Sequence, residues 1–140
     1  MSFGQRCLYL VPMLLVMGTI FFLSSQPGDT LSLPDIADLD KLLHAGIYGV
    51  LAASTLFAVQ GNRWRARPRV VAVFVVLFCM LYGLSDEWHQ SFVPGRTPDI
   101  LDLAADTVGA AIMVLLWLRC PWCTRNPGTP GTASRQQRAG

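Results

Sequence analysis

Four apolar runs, separated by short polar segments, leave this 140-residue chain few ways to fold. Cys7 to Leu23 carries no charge over 17 residues, Leu42 to Val59 is apolar apart from His44, Tyr48, Ser54 and Thr55, and Val70 to Leu84 is 15 apolar or small residues. A fourth run follows Pro98 and ends near Leu118. A bilayer core of about 30 Å takes roughly 20 helical residues, and slightly fewer make a minimal span. With 52% hydrophobic and only 14% charged residues, the class is a polytopic membrane protein rather than a soluble domain. The reading is an all-α membrane protein, a four-transmembrane-helix bundle over residues 1–123 with helices at about 7–24, 40–60, 69–91 and 98–119. For the fourth helix, Thr97 is placed to cap and Pro98 to take the first helical position. A cleaved signal peptide is the rival for the first run, although Ser24-Ser25-Gln26 is a poor cleavage site. Residues 124–140 are rich in Gly, Pro, Ser, Thr, Gln and Arg, and are expected to form a disordered cytoplasmic tail.

Charge reports topology. With the amino terminus inside, nine of the eleven basic residues, including Arg63, Arg65, Arg67, Arg69 and Arg119, are cytoplasmic. Only Lys41 and Arg96 are left outside, which predicts cytoplasmic termini and a cell-membrane location. All nine acidic residues fall on the outer half. A net charge of +2, with no basic stripe carrying interleaved aromatics, excludes a nucleic-acid partner.

The polar residues inside the spans gather at one depth. At 1.5 Å per residue, His44 lies about 6 Å and Tyr48 about 12 Å below Asp40, and Asp106 lies about 12 Å below Pro98. Asp86 sits about 24 Å above Val70 in a core about 30 Å thick. Asp40, His44 and Tyr48 form one stripe at spacings of four, and Asp99, Asp102 and Asp106 form another that Gly109 continues inward. Asp86, Glu87 and Gln90 fall within about 100° on the third helix, with His89 flanking. Facing lipid, each carboxylate would cost about 2.5–3.5 kcal/mol on insertion scales, so these arcs are expected to turn inward.

Two readings of the cluster stay open. The plain one is interhelical glue. The sharper one is a ligand site built from Asp40, Lys41, Tyr48, His89, Gln90, Arg96, Asp102 and Asp106, with His44, Glu87 and Asp86 as candidate catalytic groups. His44 oriented by Asp40 is the best-placed proton acceptor, and Arg96 is an anion clamp. A divalent cation is a possible cofactor, with Mg²⁺ or Mn²⁺ suiting the carboxylates better than Zn²⁺. Ser24 and Ser25 read first as helix terminators. Cys120 and Cys123 flank Pro121-Trp122 without the strand-and-helix setting of a redox motif. A small transporter is a weaker reading, because no repeat or discontinuous span is evident.

The ordered pieces Ser24-Ser25-Gln26, Asp40-Lys41-x-x-His44-x-x-x-Tyr48, Asp86-Glu87-x-x-Gln90, Pro94-Gly95-Arg96 and Asp102-x-x-x-Asp106-x-x-Gly109 resemble the VanZ-like family of bacterial membrane proteins. The resemblance covers roughly Leu14 to Leu118 and implies a cytoplasmic-membrane protein. The family is named for low-level resistance to the glycopeptide teicoplanin. Many members carry Asn where this chain has Asp106. The expected partner is a membrane lipid or lipid-linked envelope intermediate, and the expected function is handling such a component in an outward-facing polar pocket. A membrane-embedded acid/base or metal-dependent enzyme, or an accessory subunit, is the alternative.

Overall fold

The computed structural model describes residues 3–28, 39–59 and 67–120. The expected tail at 124–140, Cys123, the acidic segment with Asp29, Asp35 and Asp38, and the Arg63 to Arg65 cluster lie outside the described residues. Among the described residues there are four helices: α1 (Phe3–Ser24), α2 (Leu39–Ala58), α3 (Pro68–Gln90) and α4 (Ile100–Arg119). All four are long and apolar enough to cross a membrane, with mean hydropathy from 1.3 to 2.2 over the spans. The all-α bundle read from the sequence is the observed one. Pro12 sits inside α1 without ending it, as membrane helices allow.

The start of α4 differs from expectation. Helix begins at Ile100, and the cap is Asp99, whose Oδ1 accepts the Leu101 N–H at 2.8 Å. Thr97 and Pro98 stay in the extended segment before it. A carboxylate cap satisfies an orphan N–H and also complements the positive end of the helix dipole, an advantage Thr97 lacks. The other predicted boundaries agree within a few residues, α1 reaching four residues further toward the amino terminus.

Helix α2 is central. It packs most extensively on α4, while α3 packs mainly on α4 and α1 mainly on α2. Tyr48, Leu51, Ala52, Val75, Cys79 and Ala110 form the fully buried centre, with Val114 and Trp117 extending it. Leucines, valines and phenylalanines on the outer faces of all four helices are exposed, a surface that lipid rather than water covers. Small residues let α2 and α4 approach. A side chain at Gly109 would run into the Ala45 carbonyl, and Gly49 stands 3.5 Å from the Gly109 carbonyl by the same measure. This is the close backbone approach that small residues permit between membrane helices.

At one end of the bundle the carboxyl ends of α1 and α3 meet the amino ends of α2 and α4. Gly28 N–H donates to the Pro94 carbonyl at 3.2 Å, and Gly95, at φ 75°, turns the α3–α4 connection beneath it. A side chain on Gly28 would collide with Gly95. Trp88 and Phe92 stack edge to face at 5.5 Å on the outside of this end, where aromatic residues mark a membrane interface.

The α2–α4 crossing gives a direct test. Gly109→Leu should lower the thermal unfolding midpoint of the detergent-solubilised protein, at a cost of about 1–3 kcal/mol from overpacking. Gly18→Ala, which meets open space, should leave the midpoint unchanged in the same assay.

Candidate functional site

The close crossing of α2 and α4 sets His44 against Asp106. His44 Nδ1 lies 3.0 Å from Asp106 Oδ1, and Asp106 is 1% exposed. Because a carboxylate accepts, the imidazole holds its proton on Nδ1, leaving Nε2 on the side of Asp102, whose Oδ2 is 3.9 Å away. Gly83 of α3 makes room for the pair, since a Cβ there would lie 2.9 Å from Asp106 Oδ2 and 3.4 Å from Tyr48 Cε1. Tyr48 is fully buried, and among the described residues neither its hydroxyl nor Asp106 Oδ2 has a hydrogen-bond partner.

Asp40 therefore does not orient His44. It pairs instead with its neighbour Lys41, Nζ to Oδ2 at 3.0 Å, and Lys41 also reaches Asp99 and Asp102 at 3.6 Å each. A spacing of four does place Asp40 and His44 on one face. However, Asp40 stands at the exposed end where the lysine is closer, whereas His44 faces α4.

Arg96 is held by backbone. Its Nε donates to the Gln26 carbonyl at 3.2 Å and its Nη2 to the Leu23 carbonyl at 3.3 Å. The guanidinium thus serves carbonyls at and just past the carboxyl end of α1, sharing that of Leu23 with the Gln26 N–H, and a cation there also complements the helix dipole. Ser24 and Ser25 both donate to the Phe21 carbonyl, the terminating role expected of them. Ser25 Oγ lies in addition 3.0 Å from His89 Nε2. Its single proton goes to Phe21, so His89 is the donor of that pair. His89 also stacks on Phe21 at 4.7 Å.

These groups enclose a cavity of about 580 Å³ between α1 and α2, reaching α3, α4 and the turn after α3. Its polar lining comes from Asp40, His44, Tyr48, Asp86, Gln90, Arg96 and Asp102, and its apolar lining from Ile20, Leu23, Leu42, Leu43, Ile47 and Val50. Asp86 and Gln90 are joined at 3.1 Å and are both buried. Of the residues singled out from the sequence, most do line or support one cavity.

Two do not line it. His89 is directed at α1, and Glu87 is turned toward α4. Glu87 Oε2 accepts the Asp99 N–H at 2.8 Å, which fixes the entry to α4, and its side chain borders a separate groove of about 410 Å³ with Leu84, Trp88, Ile100 and Leu103. Successive helical residues differ by about 100°, enough to put Asp86 and Glu87 on opposite sides of the α3–α4 contact. Among the described residues, no three His, Cys, Asp or Glu side chains are grouped as metal ligands. The sequence reading missed Gly83, Gly28 and Tyr82, whose hydroxyl donates to the Met17 carbonyl at 2.7 Å and ties α3 to α1. Gly83 was the accessible one, lying one turn before Asp86 on the same face.

The His44–Asp106 contact should be measurable as coupling. His44→Ala and Asp106→Asn are each expected to destabilise the bundle. The double variant should cost less than the summed single effects by about 1–2 kcal/mol, read from unfolding in detergent.

Compared with known protein families, residues 9–121 match VanZ/LLP1. No match is found among curated proteins or among solved structures. The family match spans all of α2, α3 and α4 and most of α1, the elements that build the cavity, and with it the chain belongs to the VanZ/LLP1 family.

Proposed function

We propose that the chain is a cell-membrane protein with both termini cytoplasmic, and that its cavity opens outward to receive an envelope component with a lipid-linked or phosphorylated headgroup. The observation that carries this reading is the mixed lining of the cavity. Carboxylates, an imidazole and a guanidinium share it with Leu42, Leu43 and Val50, which are 68%, 50% and 53% exposed on a membrane-spanning helix. A soluble ligand needs no opening onto hydrocarbon, whereas an amphiphile places its headgroup among the polar groups and its chain along the apolar ones.

A second reading has its own support. The His44–Asp106 pair joins a proton-accepting nitrogen to a carboxylate that fixes its tautomer, which is the arrangement of a general base. In that case the bound component is a substrate, His44 the base, and Asp86 a second candidate group on the cavity wall. Glu87 has a lesser claim, since it supports α4 from the other side. Occupancy or alteration of an envelope lipid at this site is the route by which the teicoplanin phenotype that names the family would extend to this chain.

Lipid mass spectrometry of the purified protein tests the binding reading. A specific amphiphile should accompany the wild type and Glu87→Gln, and should be lost from His44→Ala and from Asp102→Asn variants that remain folded. An identical lipid complement in all four would reject it. For topology, in a background without native cysteines, Ser91→Cys should react with an impermeant maleimide in intact cells. Arg67→Cys should react only after permeabilisation.

A further inference from the structure

Resting on that reading of the cavity as a headgroup site, we infer that the headgroup it selects is an aminoalkyl phosphate, with a primary ammonium among Asp102, Asp86 and the Tyr48 hydroxyl and the phosphate at Arg96. Charge balance is the first argument. The cavity wall carries three carboxylates, those of Asp40, Asp86 and Asp102, against one guanidinium. Lys41 offsets part of this only at the rim, where it bridges Asp40, Asp99 and Asp102. A purely anionic headgroup would add to this negative surplus. A zwitterion leaves the net charge unchanged but sets its positive end against the carboxylates and its negative end at the guanidinium, so that each pole meets its opposite.

The unpartnered hydroxyl is the second argument and is independent of the first. Tyr48 lines the cavity, is fully buried, and its oxygen has no partner among the described residues. A buried polar atom without a partner costs free energy, and an ammonium carries three N–H donors able to serve it. Asp86, 6% exposed, has Oδ2 engaged by Gln90, so that carboxylate is held in a fixed orientation. A quaternary ammonium offers no N–H and would leave the Tyr48 oxygen unserved.

Arg96 supplies the other pole. Two bonds to the end of α1 fix its guanidinium on the cavity wall. Arginine has five N–H donors, and its planar fork suits phosphate oxygens. The site thus pairs one rigid cation with several acceptors, the complement of a phosphate joined to an amine. The apolar lining adds the preference for a lipid that carries this headgroup over the free compound.

The test is binding of the full-length protein in detergent to dioleoyl phosphatidylethanolamine, phosphatidylglycerol and phosphatidylcholine, and to O-phosphoethanolamine, each followed by native mass spectrometry. Phosphatidylethanolamine should bind about tenfold or more tightly than the other two lipids. Asp102→Asn should narrow that preference while leaving phosphatidylglycerol no weaker. Equal binding of all three lipids by the wild type overturns the amine inference but keeps the cavity as a lipid site. No binding of any of the three lipids or of O-phosphoethanolamine rejects the headgroup reading itself. Binding of O-phosphoethanolamine as tight as that of the lipid supports the same chemistry with a soluble source. The wild-type comparison needs no variant, so a poorly folded Asp102→Asn does not spare the proposal.

Discussion

A carboxylate that is 1% exposed in the middle of a membrane bundle sets the terms for its surroundings. Asp106 needs a donor, room and shielding from lipid, and each need is met by a different helix. The donor is His44 on α2, the room is the missing side chain of Gly83 on α3, and the close packing comes from Gly109 one turn further along α4. Removing the group's environment would cost several kcal/mol, so the three helices are not free to slide or rotate independently. The cavity inherits its shape from that arrangement, because His44 and Tyr48 are fixed by the same crossing that fixes Asp106.

The end of the bundle that carries the α3–α4 turn is tied in a second way, through backbone. Arg96 and Gly28 connect the end of α1 to the turn after α3, while Glu87 fixes the first turn of α4. Side chains that read as a ligand cluster therefore divide into two kinds. Asp86, Asp102 and Tyr48 keep oxygen atoms or faces toward the cavity, whereas Glu87, Asp99 and His89 are engaged in holding helix ends. Arg96 does both.

Much of this was legible before any coordinates. The four spans follow from hydropathy, and the gathering of polar groups at one depth follows from helical rise and spacing, because lipid penalises every alternative. Pairing was harder to read. Asp40 and His44 share a face, yet Lys41 stands next to Asp40 and Asp106 stands across from His44, and interhelical distance is not written in either helix alone. Arg96 was visible as a turn residue, but the carbonyls of Leu23 and Gln26 that it serves have no signature in sequence. The division between Asp86 and Glu87 depends on how α3 is rotated, and a shift of 100° would exchange their roles.

The loose attachment of α1 has a consequence for how the chain tolerates change. Leu8, Leu14, Leu15 and Phe22 are turned away from the other helices, so along this face only apolarity and length are demanded, and many sequences meet that demand. At the far end the demand becomes specific within a single turn: Ile20 and Ser24 are buried, and Gly28 abuts Gly95. Drift in α1 is thus graded along its axis, nearly free at one end and tied at the other to a turn almost seventy residues later in the chain, where the backbone of Gly95 itself leaves no space for a side chain at position 28.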